Sequence, residues 1–431
     1  MPVAAQQARL AETPPMGWNS WDSYGLSVSE REFKANAVWL AQHLKRYGWQ
    51  YAVVDEGWYL NNPEAKPETF QFTVSKDGRY LPAVNRFPSA ANGAGFKPLA
   101  DWVHAQGLKF GIHIIRGIPK QAVAKNLKIA GSPYTAEQAA NQSDTCPWNA
   151  DNYGVKAAPA GQAYYDSVAA LYAGWGVDFV KIDCIAAHPY KGDEIRMVSE
   201  ALRKSGRPIV LSLSPGPSPL DKADELRRWA NLWRISDDIW DHWLQWPQAA
   251  FSQGLLRQFT NTAEWAPHVE PAHWPDADML PLGHLGPRPG FGKDRPSAFT
   301  HDEERTLVTL WSIFRSPLIM GGNLTAMDAF TTSLLTNSEV IAVDQNSTGG
   351  RQVVNDGRKA VWLAKADGGK TTYVALFNLA GEQQTIEYPL QPLGLGAGVN
   401  IRDLWEKKDL GNQDVLRVAL RPHASGLYQV K

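Results

Sequence analysis

The run Val177-Asp178-Phe179-Val180-Lys181-Ile182-Asp183 is apolar and strand-like, and it ends on a carboxylate with a lysine two residues before it. Side chains alternate along a strand, so Lys181 and Asp183 share a face. In a parallel barrel or open sheet that pair projects from the C-terminal edge, where such folds keep their active sites. Trp233-Arg234-Ile235-Ser236-Asp237-Asp238 has the same character. Read as a strand, it puts Arg234, Ser236 and Asp238 on one face. Two strand-end carboxylates, each with a cation upstream, are the equipment of a two-carboxylate hydrolase. Either segment alone reads equally well as a structural ion pair.

The elements that would position these groups alternate along the chain. Apolar strand candidates are Met16–Trp18, Tyr51–Asp55, Lys109–His113, Asp178–Asp183, Pro208–Ser212, Trp233–Ser236 and Pro317–Met320, with one more of poor periodicity near Asp276–Leu280. Between them lie segments of helical periodicity: Ser29–Tyr47, Phe96–Gln106, Ala160–Trp175, Asp193–Ser205 and Asp302–Ser316. Strand and helix repeated along about 310 residues predict a (β/α)8 TIM barrel of the α/β class. An open doubly wound sheet would want a Gly-rich phosphate loop after its first strand, and none is there. Beyond about Ser347 the pattern changes to short alternating runs separated by Gly, Asp and Asn: Val353-Val354, Ala360–Lys365, Thr371–Asn378, Gln384–Tyr388, Val415–Leu420 and Gly426–Val430. These predict a C-terminal antiparallel β-sandwich domain, dividing the chain into residues 1–345 and 346–431. The segment Trp265–Lys293, rich in Pro, Gly, His and Trp, predicts a long functional loop.

Bulk composition narrows the partners. The chain has 431 residues, a net charge of −1 and 18 tryptophans. Near-neutral charge gives no reason to expect nucleic acid or an anionic membrane, and no apolar run approaches the roughly 20 residues of a bilayer span. Indole rings stack well on sugar faces, so part of the tryptophan surplus suits an oligosaccharide or polysaccharide ligand and the rest is core. Met1-Pro2-Val3-Ala4-Ala5-Gln6-Gln7-Ala8 lacks the apolar stretch of a signal peptide. A periplasmic or secreted location is therefore expected only if a leader was trimmed, and a cytoplasmic one otherwise. Oligomeric state is not legible.

Strand ends of a barrel converge on one cavity. Collected there are Trp18, Trp21, Asp55, Glu56, His113, Lys181, Asp183, Ser212, Ser214, Arg234, Asp238, Asp276 and Asp278. Carboxylates and cations that grip hydroxyl pairs, with indole under the ring, are what a sugar needs. A divalent metal is the competing reading, but no local ligand spacing such as His-x-x-x-His is present and the lysine and arginine would repel a cation. No metal and no cofactor is expected.

Several of these segments resemble glycoside hydrolase family 27, the α-galactosidase (melibiase) family that includes β-L-arabinopyranosidases. Pro15-Met16-Gly17-Trp18-Asn19-Ser20-Trp21 is similar to its N-terminal signature, and Asp55-Glu56-Gly57-Trp58 to its Asp-Asp-x-Trp. Lys181-Ile182-Asp183 resembles its nucleophile motif, and Arg234 with Asp238 and Asp241 its acid/base motif. Trp274-Pro275-Asp276-Ala277-Asp278-Met279-Leu280 resembles its Trp-x-Asp-Pro-Asp-Met-Leu, and Pro317-Leu318-Ile319-Met320-Gly321 its last barrel strand. The resemblance implies a retaining exo-glycosidase releasing terminal α-D-galactosyl residues, with β-L-arabinopyranoside or another α-glycoside as the alternative. Asp183 would be the nucleophile and Asp238 the acid/base, their carboxyls about 5–5.5 Å apart. Lys181 would keep Asp183 ionised, and Asp238 should sit in a less compensated place. Asp237 is set aside, because its side chain would leave the opposite face of the strand. Trp21, Asp55, Glu56, His113, Lys181, Arg234 and Asp278 would bind the sugar.

The departures bear on specificity. α-Galactosidases usually carry Asp where this chain has Glu56, whose carboxylate reaches roughly 1.5 Å further. That reach would crowd the 6-hydroxymethyl of galactose, a group that β-L-arabinopyranose lacks. His113 stands where the family often has Tyr. Ser212-Leu213-Ser214 replaces the usual Cys-Glu-Trp, which removes a carboxylate on the O2 side. Cys184 follows Asp183 directly rather than one residue later, so a Cys146–Cys184 bridge is one of two expectations, the other being two free thiols.

Overall fold

The computed structural model describes residues 10–246, 251–289, 292–366, 368–394 and 398–431. Residues 1–9, read above for a leader, and residues 290–291 of the long loop lie outside them. Eight strands form one sheet: β1 (Met16–Asn19), β2 (Tyr51–Val54), β3 (Lys109–Ile115), β4 (Phe179–Asp183), β5 (Val210–Leu213), β6 (Leu232–Arg234), β7 (Trp274–Asp276) and β8 (Leu318–Met320). All pairs are parallel, in the order β7-β6-β5-β4-β3-β2-β1-β8. A parallel bridge between Leu280 and Met320 joins the chain just past β7 to β8 and closes the ring. Helices α1 (Glu30–Trp39), α2 (Lys97–Ala105), α3 (Pro159–Trp175), α4 (Gly192–Lys204), α5 (Ala223–Trp229), α6 (Leu255–Trp265) and α7 (His301–Phe314) fall between successive strands, and α8 (Ala329–Leu335) and α9 (Ser338–Asn346) follow β8. The fold is a (β/α)8 barrel.

Local chemistry sets these elements. β2 reads Tyr-Ala-Val-Val and is buried on both faces, as a barrel strand covered outside by helices must be. Ser29 and Glu32 form a capping box that starts α1, and Thr300 and Glu303 do the same for α7. Gly176, at φ 83°, stops α3 in the left-handed conformation that glycine adopts freely. Gly17 is required by close approach, since a Cβ there would collide with the Tyr51 carbonyl oxygen.

Strand ends shift from expectation by a residue or two throughout, and at β7 and β6 the difference changes how site residues are carried. β7 is Trp274–Asp276, displaced toward the N-terminus of the expected Asp276–Leu280. Beyond it the chain leaves the ladder: the Asp278 N–H donates to the Asp276 side chain at 2.9 Å, and Asp278 sits at φ 94°. The expected long loop Trp265–Lys293 therefore contains a barrel strand. β6 stops at Arg234, so Arg234, Ser236 and Asp238 do not share a strand face, and a turn beyond the strand carries Asp238.

The C-terminal strands are β9 (Thr348–Asn355), β10 (Lys359–Lys365), β11 (Thr372–Asn378), β12 (Gln384–Pro389), β13 (Val399–Asp403), β14 (Lys408–Gln413), β15 (Val415–Leu420) and β16 (Ser425–Val430). They form an antiparallel sheet ordered β9-β10-β11-β16-β13-β14 and a second pair, β12-β15. Between them lies a core that includes Val361, Leu363, Val374, Ile386 and Leu416. The other face of the larger sheet, with Trp362, Phe377 and Leu427, belongs to the same apolar core as the barrel. The His423 ring, in the turn before β16, stacks on Trp243 of the barrel at 4.0 Å.

Candidate active site

A cavity of about 110 Å³ sits among the C-terminal strand ends. β2 delivers Asp55 and Glu56 to it, β3 His113, β4 Lys181 and Asp183, the end of β5 Ser214, and β6 Arg234. Trp21 and Asp22 come from the short helical turn after β1, Asp238, Ile239 and Trp240 from the turn after β6, and Asp278 and Met279 from the turn after β7. Trp148 reaches in from the loop between β3 and α3. Each proposed catalytic and sugar-binding residue thus lines one cavity. Trp18, Ser212 and Asp276 do not: the Trp18 indole donates to the Gly322 carbonyl at 2.9 Å in the core, and Asp276 supports the turn at Asp278.

Both oxygens of Asp183 are held. Trp148 Nε1–H donates to Oδ1 at 3.0 Å and Ser214 Oγ–H to Oδ2 at 3.0 Å, while His113 Nε2 stands 3.8 Å from Oδ2. Ser214, part of the segment that reads in the sequence as the loss of a carboxylate, supplies a donor. Cys146 and Cys184 are joined by a disulfide with Cα atoms 6.0 Å apart, which ties the Trp148 loop to the residue after Asp183. Arg116 adds a second tie. It donates to the Cys184 carbonyl at 2.6 Å and meets Asp144 of that loop at 2.9 and 3.1 Å and Glu194 at 2.7 Å.

Asp55 is buried, and Oδ2 accepts from both Asn19 Nδ2 and His113 Nδ1 at 2.7 Å. Burial pushes its carboxyl up, but the charge and hydrogen bond of His113, then Lys181 and Asn19, outweigh it and hold it at about 2. Lys181 keeps its proton, because burial is overcome by Asp55 and Asp278. Its charge therefore acts on acids across the cavity.

The guanidinium of Arg234 is buried and approaches Asp278 at 2.7 Å and Asp238 at 3.3 Å. Asp278 also caps the backbone N–H of Ile239 at 2.8 Å, which fixes the turn that presents Asp238. Burial pushes Asp278 up to about 6 against the opposing pull of Arg234, with Asp238 adding to the rise. Asp238 is the most exposed of these acids, and the arginine it meets is engaged more closely by Asp278. Asp237 points elsewhere and pairs with His188 at 2.9 Å and Gln253 at 3.3 Å.

Two further carboxyls are pushed upward. Glu56 is raised well above its ordinary value by burial and then by the charge of Asp183, and its Oε2 is buried without a partner. Asp22 is raised by burial and then by Asp278. Gly321 leaves room for it, since a Cβ at that position would meet the Asp22 carboxylate and force it to shift. The pocket thus combines the carboxyls of Asp55, Asp183, Glu56 and Asp22 with the cations of Lys181 and Arg234 and indole walls. Among the described residues no group of His, Cys, Asp or Glu side chains is arranged to hold a metal ion.

Sequence reasoning passed over Asp22, Trp148, Ile239, Trp240 and Met279. Asp22 had a usable signal, as an acid one turn beyond the first strand. For Trp148 the only signal was its place two residues after Cys146.

A closed barrel whose mouth gathers paired carboxyls, buried cations and indole into a pocket the size of one sugar ring defines a glycoside hydrolase. Residues 148–346 match the family model described as alpha galactosidase A, and residues 356–430 that of the alpha galactosidase C-terminal beta sandwich domain. A β-L-arabinopyranosidase of Geobacillus stearothermophilus is 48% identical, with a TM-score of 0.92 over 98% of this chain and 97% of that one. An α-galactosidase of Oryza sativa is 28% identical over 97% of this chain and 85% of its own length. An α-N-acetylgalactosaminidase of Gallus gallus is 28% identical over 81% of this chain and 74% of its own. The chain belongs to glycoside hydrolase family 27.

Proposed function

We propose that the chain releases terminal β-L-arabinopyranosyl residues from oligosaccharides or polysaccharide side chains, by a retaining double displacement in the barrel of residues 1–345. The sandwich of residues 346–431 braces that barrel. Asp183 attacks the anomeric carbon while Asp238 protonates the departing oxygen. Asp238, now a carboxylate, then takes a proton from the water that attacks the same carbon and frees Asp183. Asp55 and Lys181 hold the ring hydroxyls on the far side, Arg234 and Asp278 stand near O2, and Trp21 walls the ring.

The observation that carries the choice of sugar is Glu56. Its side chain lines the cavity and feels the charge of Asp183. It is one methylene longer than an aspartate, and that length would take the space of a 6-hydroxymethyl group. Arabinopyranose has the ring stereochemistry of galactose without that group, so its removal costs the sugar no other contact. The similarity to the Geobacillus enzyme supports the same choice, whereas the α-galactosidase relatives, at lower identity, support the galactosyl reading that the sequence puts first.

Initial rates on p-nitrophenyl β-L-arabinopyranoside and α-D-galactopyranoside, for the parent and Glu56→Asp, test it. The parent should prefer the arabinoside. Glu56→Asp should move the ratio toward galactoside by about 10–200-fold, the range one methylene of pocket shape supports. A parent that prefers the galactoside overturns the assignment.

A further inference from the structure

Trp148 combines two properties that rarely coincide. It is among the most exposed large apolar side chains described, at 49%, yet its indole N–H is aimed inward at the Asp183 carboxylate. Its loop is tied down on both sides. Cys146, two residues before it, is bonded to Cys184, the residue after Asp183. Asp144, four residues before it, is gripped by Arg116 and by Lys191 at 2.9 Å. On the other side, Asn152 donates to the carbonyls of Ile115 and Arg116 at 3.2 and 2.9 Å. The indole is thus clamped where its N–H meets the group that changes charge during turnover. An exposed ring that merely lined the mouth would need no such aim.

We infer that Trp148 is a positioning residue for the second half of turnover, its N–H stabilising the Asp183 carboxylate as that group leaves the sugar. The inference rests on the double-displacement reading above. In the first step Asp183 gives its electron pair to the anomeric carbon and its negative charge disappears into an ester. In the second step the oxygen of water bonds to that carbon, and the bond from carbon to Asp183 breaks with its electron pair returning to the carboxylate. The proton of water passes to Asp238. A hydrogen bond to an ionised acceptor is stronger than one to a neutral ester. The Trp148 contact therefore favours carboxylate over ester. It makes Asp183 a better leaving group in the step that regenerates the enzyme.

The test is Trp148→Phe, which keeps a ring and removes the donor, with the faster of the two p-nitrophenyl glycosides as substrate. Loss of one bond to a charged group should slow release of the sugar from Asp183 by roughly ten- to a hundredfold. With an aryl leaving group the first step stays fast, so kcat and KM should fall together, kcat/KM should change by less than about threefold, and a stoichiometric burst of p-nitrophenol should appear. Because any ring change at 148 could disturb the loop, β-(3-benzothienyl)alanine at that position gives the same shape with sulfur in place of N–H, and it should show the same pattern. The idea is overturned if either variant behaves as the parent, or if kcat/KM falls as far as kcat without a burst. The underlying double displacement is checked separately. A 2-deoxy-2-fluoro glycosyl fluoride should label the parent on the peptide that contains Asp183, and an unlabelled parent refutes that reading whatever Trp148 does.

Discussion

Removing the imidazole that holds Asp55 should change the acid side of the pH profile in a calculable direction. Asp55 Oδ2 accepts from His113 Nδ1 at 2.7 Å, and its carboxyl lies at about 2 although burial pushes the other way. The fall from the ordinary 3.8 to about 2 corresponds to roughly 2 kcal/mol, at about 1.36 kcal/mol per pH unit. A carboxyl lowered by folding contributes stability that is complete above its unfolded value and is lost as pH falls through its folded one. His113→Leu should therefore cost about 2 kcal/mol at about pH 7, and the penalty should shrink as the pH drops below about 4. Function adds a sharper signature. With its largest opposing partner gone, burial drives the Asp55 carboxyl upward, and a protonated Asp55 no longer accepts from a sugar hydroxyl. The ratio of kcat/KM for variant and parent should fall as the pH is lowered from about 7 to about 4.5, on top of any pH-independent loss of the imidazole itself. Rate profiles on the preferred p-nitrophenyl glycoside measure that ratio, and urea titrations at about pH 7 and about pH 3 measure the stability. A ratio that stays flat across the range would show that His113 does not maintain the charge of Asp55.

Other outcomes follow from the same geometry. Asp183→Ala and Asp238→Ala should each lower kcat on an unactivated glycoside by at least about a thousandfold, and near-parent turnover in either removes its assigned role. Glu304, buried on α7 and facing Asp328, is raised from 4.5 to about 7 by burial and then by that neighbour. A raised carboxyl costs stability increasingly between those values, so Glu304→Gln should stabilise the fold by up to about 3 kcal/mol above about pH 7 and by nothing near pH 4.5. Kinetics should not change, and a gain equal at both pH values would refute the account.

Much of the barrel was legible because its strands are apolar runs that end on chemistry. Periodicity locates β4 and β3, and the residues in their C-terminal halves, Lys181, Asp183 and His113, follow from chain direction alone. The turn after β6 was not legible, since strand alternation was carried past Arg234 to bring Asp238 round, whereas a turn held by Asp278 does so. Asp22 escaped because a single helical turn after β1 has no period to read. Trp148 escaped because a disulfide and ion pairs to residues far along the chain place its loop. β14 was missed among Lys, Asp, Asn and Gln side chains, since a polar strand at the edge of a sheet carries little hydrophobic alternation, and β13 was missed because its alternation is confined to Val399 and Ile401.

The apolar face that the larger C-terminal sheet shares with the barrel makes the two parts one unit of inheritance. Severing the chain between α9 and β9 would leave Trp362, Phe377 and Leu427 bare on one fragment and their barrel partners on the other, surfaces that favour aggregation over independent folding. It would also strip Trp243 of the His423 ring stacked on it, five residues downstream of Asp238. Chimeras that graft a relative's sandwich onto this barrel must therefore carry the matching face of α7 and the Trp243 turn with it, so recombination within the family is constrained at a seam far from the sugar.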